Sequence, residues 1–204
     1  MTSIGFYLNQ DKCTGCKTCQ IACKDLHDHP VGINFRRVYE YGGGTWKQEG
    51  KTWKQDVFAY YTSIACNHCE NPACTKVCPT GAMVKNADGH IIIDQEKCIG
   101  CKSCAAACPY SAPQFDETAK RMTKCDGCYN LVKQGGKPVC VEACIGRALD
   151  FGNMEDMRKR YTGDANIAPL PNPGLTGPNL IIKPGRTARP SDDTEGKILN
   201  PSEV

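Results

Sequence analysis

The chain has 204 residues, with 25 lysines and arginines against 22 aspartates and glutamates and a formal net charge of +3. That balance, without a basic run, argues against a nucleic-acid binder, and the longest apolar stretches (about five residues, such as Val57 to Tyr61) fall far short of the roughly 20 that a membrane-spanning helix needs. The start, MTSIGFYLNQDKC, offers no basic region, apolar core or early twin arginine, so no export signal is expected, and Arg36-Arg37 lies too far in to act as one.

In chain order, Ile4 to Leu8 is an apolar strand candidate, followed by a first cysteine group, Cys13, Cys16, Cys19 and Cys23. Residues 24 to 65 form an insertion rich in Tyr, Trp and Gly, which predicts short strands with a turn near Glu49-Gly50. They form a β-layer that shields what lies beneath, or a docking surface, or both. Gly42-Gly43-Gly44 lacks the strand and helix that a nucleotide loop requires. The second group is Cys66, Cys69, Cys74 and Cys78. Met83 to Lys85, an Asn86-Ala87-Asp88-Gly89 turn and His90 to Ile93 then predict a β-hairpin. The third group is Cys98, Cys101, Cys104 and Cys108. Residues 109 to 123, with Pro109 and Pro113 and no alternation, read as a connector to the fourth group, Cys125, Cys128, Cys140 and Cys144. Ala148 to Phe151 is a second apolar strand candidate, suited to pair with Ile4 to Leu8. Asn153 predicts the cap of a short helix from Met154 to Tyr161, with acids in its first turn and bases in its last. Residues 162 to 204 hold seven of the 13 prolines and predict an extended arm that orders against a neighbour.

All 16 cysteines fall in these groups, and each group ends in C-x3-C. A chain made in a reducing compartment seldom keeps structural disulfides, so such groups point to metal. Groups one and three are copies: Asn9 to Cys23 aligns without gaps to Asp94 to Cys108, with nine of 15 positions identical. Groups two and four share a second pattern, C-x2-C with a proline two residues before the third cysteine, Pro72 and Pro138.

C-x2-C-x2-C-x3-C-P is the run that holds bacterial ferredoxin clusters: three thiolates take one cluster and the fourth reaches its partner. Pro79 and Pro109 supply the closing proline, whereas Lys24 and Ile145 stand in its place after Cys23 and Cys144. Structural zinc sites instead separate two C-x2-C pairs by a long spacer. Sixteen thiolates at four per cluster predict four [4Fe–4S] clusters, with no cysteine left for catalysis.

The hairpin between groups two and three joins them into one inner unit, and the strand candidates at 4–8 and 148–151 join groups one and four into an outer one. This nesting predicts four ligand sets: Cys13, Cys16, Cys19 and Cys144; Cys23, Cys125, Cys128 and Cys140; Cys66, Cys69, Cys74 and Cys108; and Cys78, Cys98, Cys101 and Cys104. The expected fold is α+β, two ferredoxin-like dicluster units in nested arrangement. Residues 1–23 and 124–152 form the outer unit, 24–65 the insertion, 66–108 the inner unit, 109–123 the connector, and 153–204 a short helix and docking tail.

Five segments, CTGCKTCQIACKD (13–25), FRRVYEY (35–41), VFAYYTSIACNHCENPACTKVCPTGAM (57–83), TKCDGCYN (123–130) and a tail with APLP, IKP, RP and NPSEV, carry a resemblance over essentially the whole length. The chain resembles the iron–sulfur electron-transfer subunits of complex iron–sulfur molybdoenzymes, of the anaerobic dimethyl sulfoxide reductase type. The resemblance implies a non-catalytic subunit that relays electrons from an integral-membrane, quinol-oxidising anchor to a molybdopterin catalytic subunit. That partner would reduce dimethyl sulfoxide or related S- and N-oxides in anaerobic respiration. It also implies a place at the inner (cytoplasmic) membrane reached through the partners, with no span of its own. The alternatives are the same relay for thiosulfate, tetrathionate, polysulfide or formate chemistry, and a structural zinc scaffold.

Overall fold

The computed structural model of the chain describes residues 3–204; residues 1 and 2, the start of the expected outer unit, lie outside the described residues. The apolar run that follows them forms β1 (Ile4–Asn9), buried along all six residues. A strand covered on both faces reads as a continuous apolar run rather than as alternation. After the first cysteine loop comes α1 (Thr18–Leu26), whose Cys19 and Cys23, one turn apart, face inward together.

The insertion supplies β2 (Arg37–Gly43), β3 (Trp46–Glu49), β4 (Thr52–Gln55) and β5 (Phe58–Ile64). β2 and β5 pair antiparallel from Arg37↔Ile64 to Gly43↔Phe58, and β3 and β4 form an exposed hairpin that turns at Gly50. Next come α2 (Ala73–Lys76), β6 (Met83–Lys85), β7 (Ile91–Ile93) and α3 (Ser103–Ala107). β6 and β7 pair from Met83↔Ile93 to Lys85↔Ile91, the hairpin that the sequence predicts, and α2 packs on α3. The chain continues through β8 (Gln114–Asp116), β9 (Arg121–Thr123), α4 (Tyr129–Lys133) and α5 (Val139–Glu142). It ends with β10 (Leu149–Asn153), α6 (Met154–Arg160), β11 (Leu180–Lys183) and β12 (Gly196–Ile198).

β1 is the centre of a three-stranded sheet, antiparallel to β10 from Ile4↔Asn153 to Leu8↔Leu149 and parallel to β11 from Phe6↔Leu180 to Asn9↔Lys183. One face of this sheet joins the main core through Phe6, Leu8, Phe151, Leu180 and Ile182. The other face packs Tyr7 and Ile181 on Met154 and Met157 of α6. Asn153 caps α6 by accepting the Glu155 N–H at 2.9 Å, as the sequence predicts.

Two expectations change. Residues 109–123 are not an irregular connector, since β8 and β9 pair from Gln114↔Thr123 to Asp116↔Arg121. Their turn is closed by Asp116 Oδ1, which accepts the N–H groups of Thr118 and Ala119. Three-residue strands are too short to show alternation, so a hairpin after group two does not by itself distinguish how the groups pair. The tail from 162 also departs from expectation, because it orders against its own chain. β11 fills one edge of β1 and β12 extends β2, from Gly196↔Gly43 to Ile198↔Tyr41. Ile167, Ala168, Leu170, Leu180, Ile181 and Ile182 are all buried. A high average proline content concealed two short apolar runs that supply this burial.

Candidate metal centres

Each cysteine group begins with the same backbone event. The second residue between the first two cysteines is left-handed in all four: Gly15, His68, Gly100 and Gly127. In the duplicated groups a second left-handed residue, Lys17 or Lys102, directly precedes α1 or α3. Such turns make successive N–H groups converge into a concavity that favours negative charge. Backbone N–H groups reach sulfur both from such a turn, where Gly127 N–H donates to Cys125 Sγ at 3.3 Å, and from neighbouring segments, where Ala148 N–H donates to Cys144 Sγ at 3.2 Å and Met122 N–H to Cys98 Sγ at 3.5 Å. Hydroxyls border the sulfurs as well. Those of Thr18 and Thr176 donate to Cys16 Sγ at 3.4 Å and Cys69 Sγ at 3.3 Å, the Cys101 thiol donates to Ser103 Oγ at 3.4 Å, and Ser63 Oγ lies 3.4 Å from Cys19 Sγ.

Long-range packing then brings groups together. One cavity is lined by Cys13, Cys16, Cys19 and Cys144, with Gly15 and Ser63 beside them. Another is lined by Cys78, Cys98, Cys101 and Cys104, with Met83 and Met122. α1 packs on α5, so that Cys23 feels the charges of Cys140 and Cys128, and Cys125 those of Cys23 and Cys140. Cys69 and Cys74 both feel Cys66 and Cys108. Cys125 also feels Cys66, where the outer and inner segments meet. All 16 thiols are free.

Burial pushes the Cys13 and Cys128 thiols up to about 11, and those of Cys23, Cys69 and Cys74 up to about 12. Thr18 holds the exposed Cys16 below its ordinary value, and Ser103 does the same for Cys101. Buried thiols that resist ionising become thiolates when a cation offsets the charge. The fold also buries three cations, Arg36, Arg37 and Lys124. Arg37 Nη2 donates to the Tyr110 carbonyl at 2.5 Å, and Lys124 Nζ to the carbonyls of Ile91 and Cys125. Soft sulfur donors in fours, N–H and hydroxyl groups aimed at sulfur, and buried positive charge fit a sulfur-ligated, net-anionic cluster. They do not fit a hard cation.

His27 lies 3.8 Å from Cys128 Sγ, with Asp126 close by, so it borders that cysteine set. Burial lowers His29 to about 4, which keeps it neutral. A wide cleft lined by Tyr7, Lys12, Lys137, Arg147, Arg160 and Lys183 contains no cysteine, so size does not mark the chemistry here. The sequence did not single out Ser63, Lys124 or Thr176, and it gave Arg36-Arg37 no role beside the cysteines. No periodicity marks a polar residue that distant segments bury.

A 4Fe–4S dicluster domain matches residues 57–154, and a 4Fe–4S binding domain matches residues 10–36. The chain is similar to the B subunit of anaerobic dimethyl sulfoxide reductase of Escherichia coli, 55% identical over 100% of this chain and 99% of that protein. Its similarity to the B subunit of the Haemophilus influenzae reductase is 57% identity, with both proteins covered completely. A more distant relative is the formate dehydrogenase iron–sulfur subunit of Wolinella succinogenes, 33% identical over 80% of this chain and 92% of that one.

Proposed function

The chain belongs to the family of iron–sulfur B subunits of anaerobic dimethyl sulfoxide reductases, and we propose that it relays electrons through four [4Fe–4S] clusters to a molybdopterin catalytic subunit that reduces dimethyl sulfoxide or related oxides. It is an electron-transfer subunit, not a catalytic one. The electrons enter from an integral-membrane subunit that oxidises quinol. In this reading the chain reaches the membrane through that partner; no helix among the described residues is long and apolar enough to cross a membrane.

The ligand sets are Cys13, Cys16, Cys19 and Cys144; Cys23, Cys125, Cys128 and Cys140; Cys66, Cys69, Cys74 and Cys108; and Cys78, Cys98, Cys101 and Cys104. The observation that carries this reading is the meeting of Cys144 with Cys13, Cys16 and Cys19 around one cavity, although more than a hundred residues separate them in sequence. The outer unit is 1–23 with 124–152 and the inner one is 66–108. The insertion 24–65 and residues 109–123 lie between them, and 153–204 packs on the outer unit, the insertion and the inner unit near Cys69 and faces the partners.

Bound clusters supply one-electron transfer. The chain's own residues hold the sulfurs in fixed positions, exclude water and set the local charge. Paramagnetic spectra taken during reductive titration of the purified complex test the assignment. Cys16→Ser and Cys144→Ser should disturb one shared species, and Cys78→Ser and Cys101→Ser a different one. If Cys16→Ser and Cys78→Ser act on the same species, the nested assignment is wrong. The relatedness to a formate dehydrogenase subunit supports a second reading, the same relay for another molybdoenzyme, which the catalytic subunit that co-purifies would decide. A colourless, zinc-loaded protein would overturn both.

A further inference from the structure

Arg36 is the largest fully buried side chain of the protein, 1% exposed. Among the described residues it forms no ion pair with a carboxylate. Its Nη1 donates to the carbonyl of Ser63 at 3.3 Å and to Ser63 Oγ at 3.4 Å, and its guanidinium lies over the Phe6 ring at 4.3 Å. Nε and Nη2 have no partner among the described residues. Ser63 Oγ in turn lies 3.4 Å from Cys19 Sγ. Ser63 Oγ therefore bridges the Arg36 guanidinium and the Cys19 sulfur.

A buried charge without a counter-ion is strongly destabilising, so the anion that balances Arg36 must sit close by. The candidates are sulfurs. Arg36 feels Cys140, Cys19, Cys125 and Cys23, which belong to both outer ligand sets. Arg37 differs, for its Nη2 is engaged by the Tyr110 carbonyl and its influence falls on Cys108 of the inner unit. Lys124 also differs, since its ammonium is taken up by two carbonyls.

We propose that Arg36, with Ser63 as its relay to Cys19, raises the reduction potentials of the two outer clusters relative to the Cys78, Cys98, Cys101 and Cys104 cluster. The proposal rests on the ligand sets given above. An added electron makes a cluster more negative, and a fixed positive charge in a water-free site favours that form. No bond forms or breaks, and the guanidinium keeps its proton throughout. Arg36 is therefore a positioning and tuning residue that touches no substrate.

The test is a reductive titration of the intact complex, followed by the paramagnetic signals of individual clusters. In Arg36→Met, the ratio of reduced to oxidised cluster at fixed potential should fall about tenfold for the two outer species, about 59 mV for a one-electron couple. The species lost in Cys101→Ser should not move. Arg36→Lys, which keeps the charge, should recover most of the shift. Ser63→Ala should shift the species lost in Cys16→Ser and Cys144→Ser in the same direction but by less. Unchanged outer midpoints in Arg36→Met, or an equal shift of all four species, would overturn the proposal. Should Arg36→Met lose its outer clusters, Ser63→Ala decides: an unmoved midpoint there refutes the relay. If the shifted species is not the one that Cys16→Ser and Cys144→Ser jointly remove, the fault lies in the ligand assignment instead.

Discussion

Gly15 and Gly100 hold the same backbone φ, +69°, at equivalent positions of two cysteine loops that the sequence duplicates. Their surroundings are unrelated. A Cβ on Gly15 would collide with the Tyr61 ring, and one on Gly100 with the Lys120 carbonyl oxygen. The duplication thus preserved the turn that aims N–H groups at sulfur, while different neighbours closed over it.

Gly100→Ala is expected to impair its own cluster. The left-handed backbone costs a residue with a Cβ about 1–2 kcal/mol, and a clash with a backbone oxygen adds to this because the oxygen cannot swing away. Iron content and paramagnetic spectra of the purified complex should show loss of the species assigned to Cys78, Cys98, Cys101 and Cys104, with the others retained. A fully loaded variant of unchanged thermal stability would contradict the role given to this turn.

The tail should behave as part of the folded body. Ile182 is fully buried on β11, so Ile182→Ala is expected to cost about 2–5 kcal/mol of stability. Deleting residues 176–204 should do more. It removes Thr176, whose hydroxyl lies 3.3 Å from Cys69 Sγ, and Asn179, whose Nδ2 donates to the His68 carbonyl at 2.7 Å. The cluster proposed for Cys66, Cys69, Cys74 and Cys108 should be the first affected. Iron quantification of the truncated subunit checks this, and a stable, fully loaded truncation would show that the tail serves only for docking.

Loading should reverse the sign of the net charge. The bare chain has a sequence pI of about 8.1. Sixteen thiolates outweigh the positive charge of four oxidised cores, so the loaded subunit is net negative at neutral pH. Native isoelectric focusing of brown, intact subunit should place it well below the bare chain. A focusing point above 8 would be incompatible with four clusters.

Asp150 ties β10 to the end of α6. It accepts from the Tyr161 hydroxyl at 2.7 Å and Arg160 at 3.2 Å, with Lys137 at 3.5 Å. Burial pushes its carboxyl up, but the Tyr161 hydroxyl, the Phe151 N–H and the two cations outweigh this and hold it below the ordinary carboxylate value. A carboxylate lowered in the folded state contributes stability that is fully present above the unfolded value and is lost as pH falls through the folded one. Asp150→Asn should therefore cost about 1 kcal/mol near pH 7. The difference from the parent should shrink below pH 4, as followed by thermal denaturation across pH. A cost independent of pH would assign the effect to packing instead.

The four cysteine groups, their duplication, the cluster type and the family were legible in the order of residues alone, because ligand spacing within a short loop is local chemistry. So were β1, β10, the β6–β7 hairpin and the Asn153 cap, each of which follows from a run of neighbouring residues. The ordering of the proline-rich tail by its own chain was not, since β11 gains its burial from an edge of β1 that lies about 170 residues earlier. Nor was the place of Arg36 beside Ser63 and Cys19. A charged residue in sequence reads as solvated, and nothing local reveals that distant segments exclude water from it. Which cysteines face one another depends on the packing of α1 on α5 and of α2 on α3, contacts whose energy comes from side chains far apart in the chain.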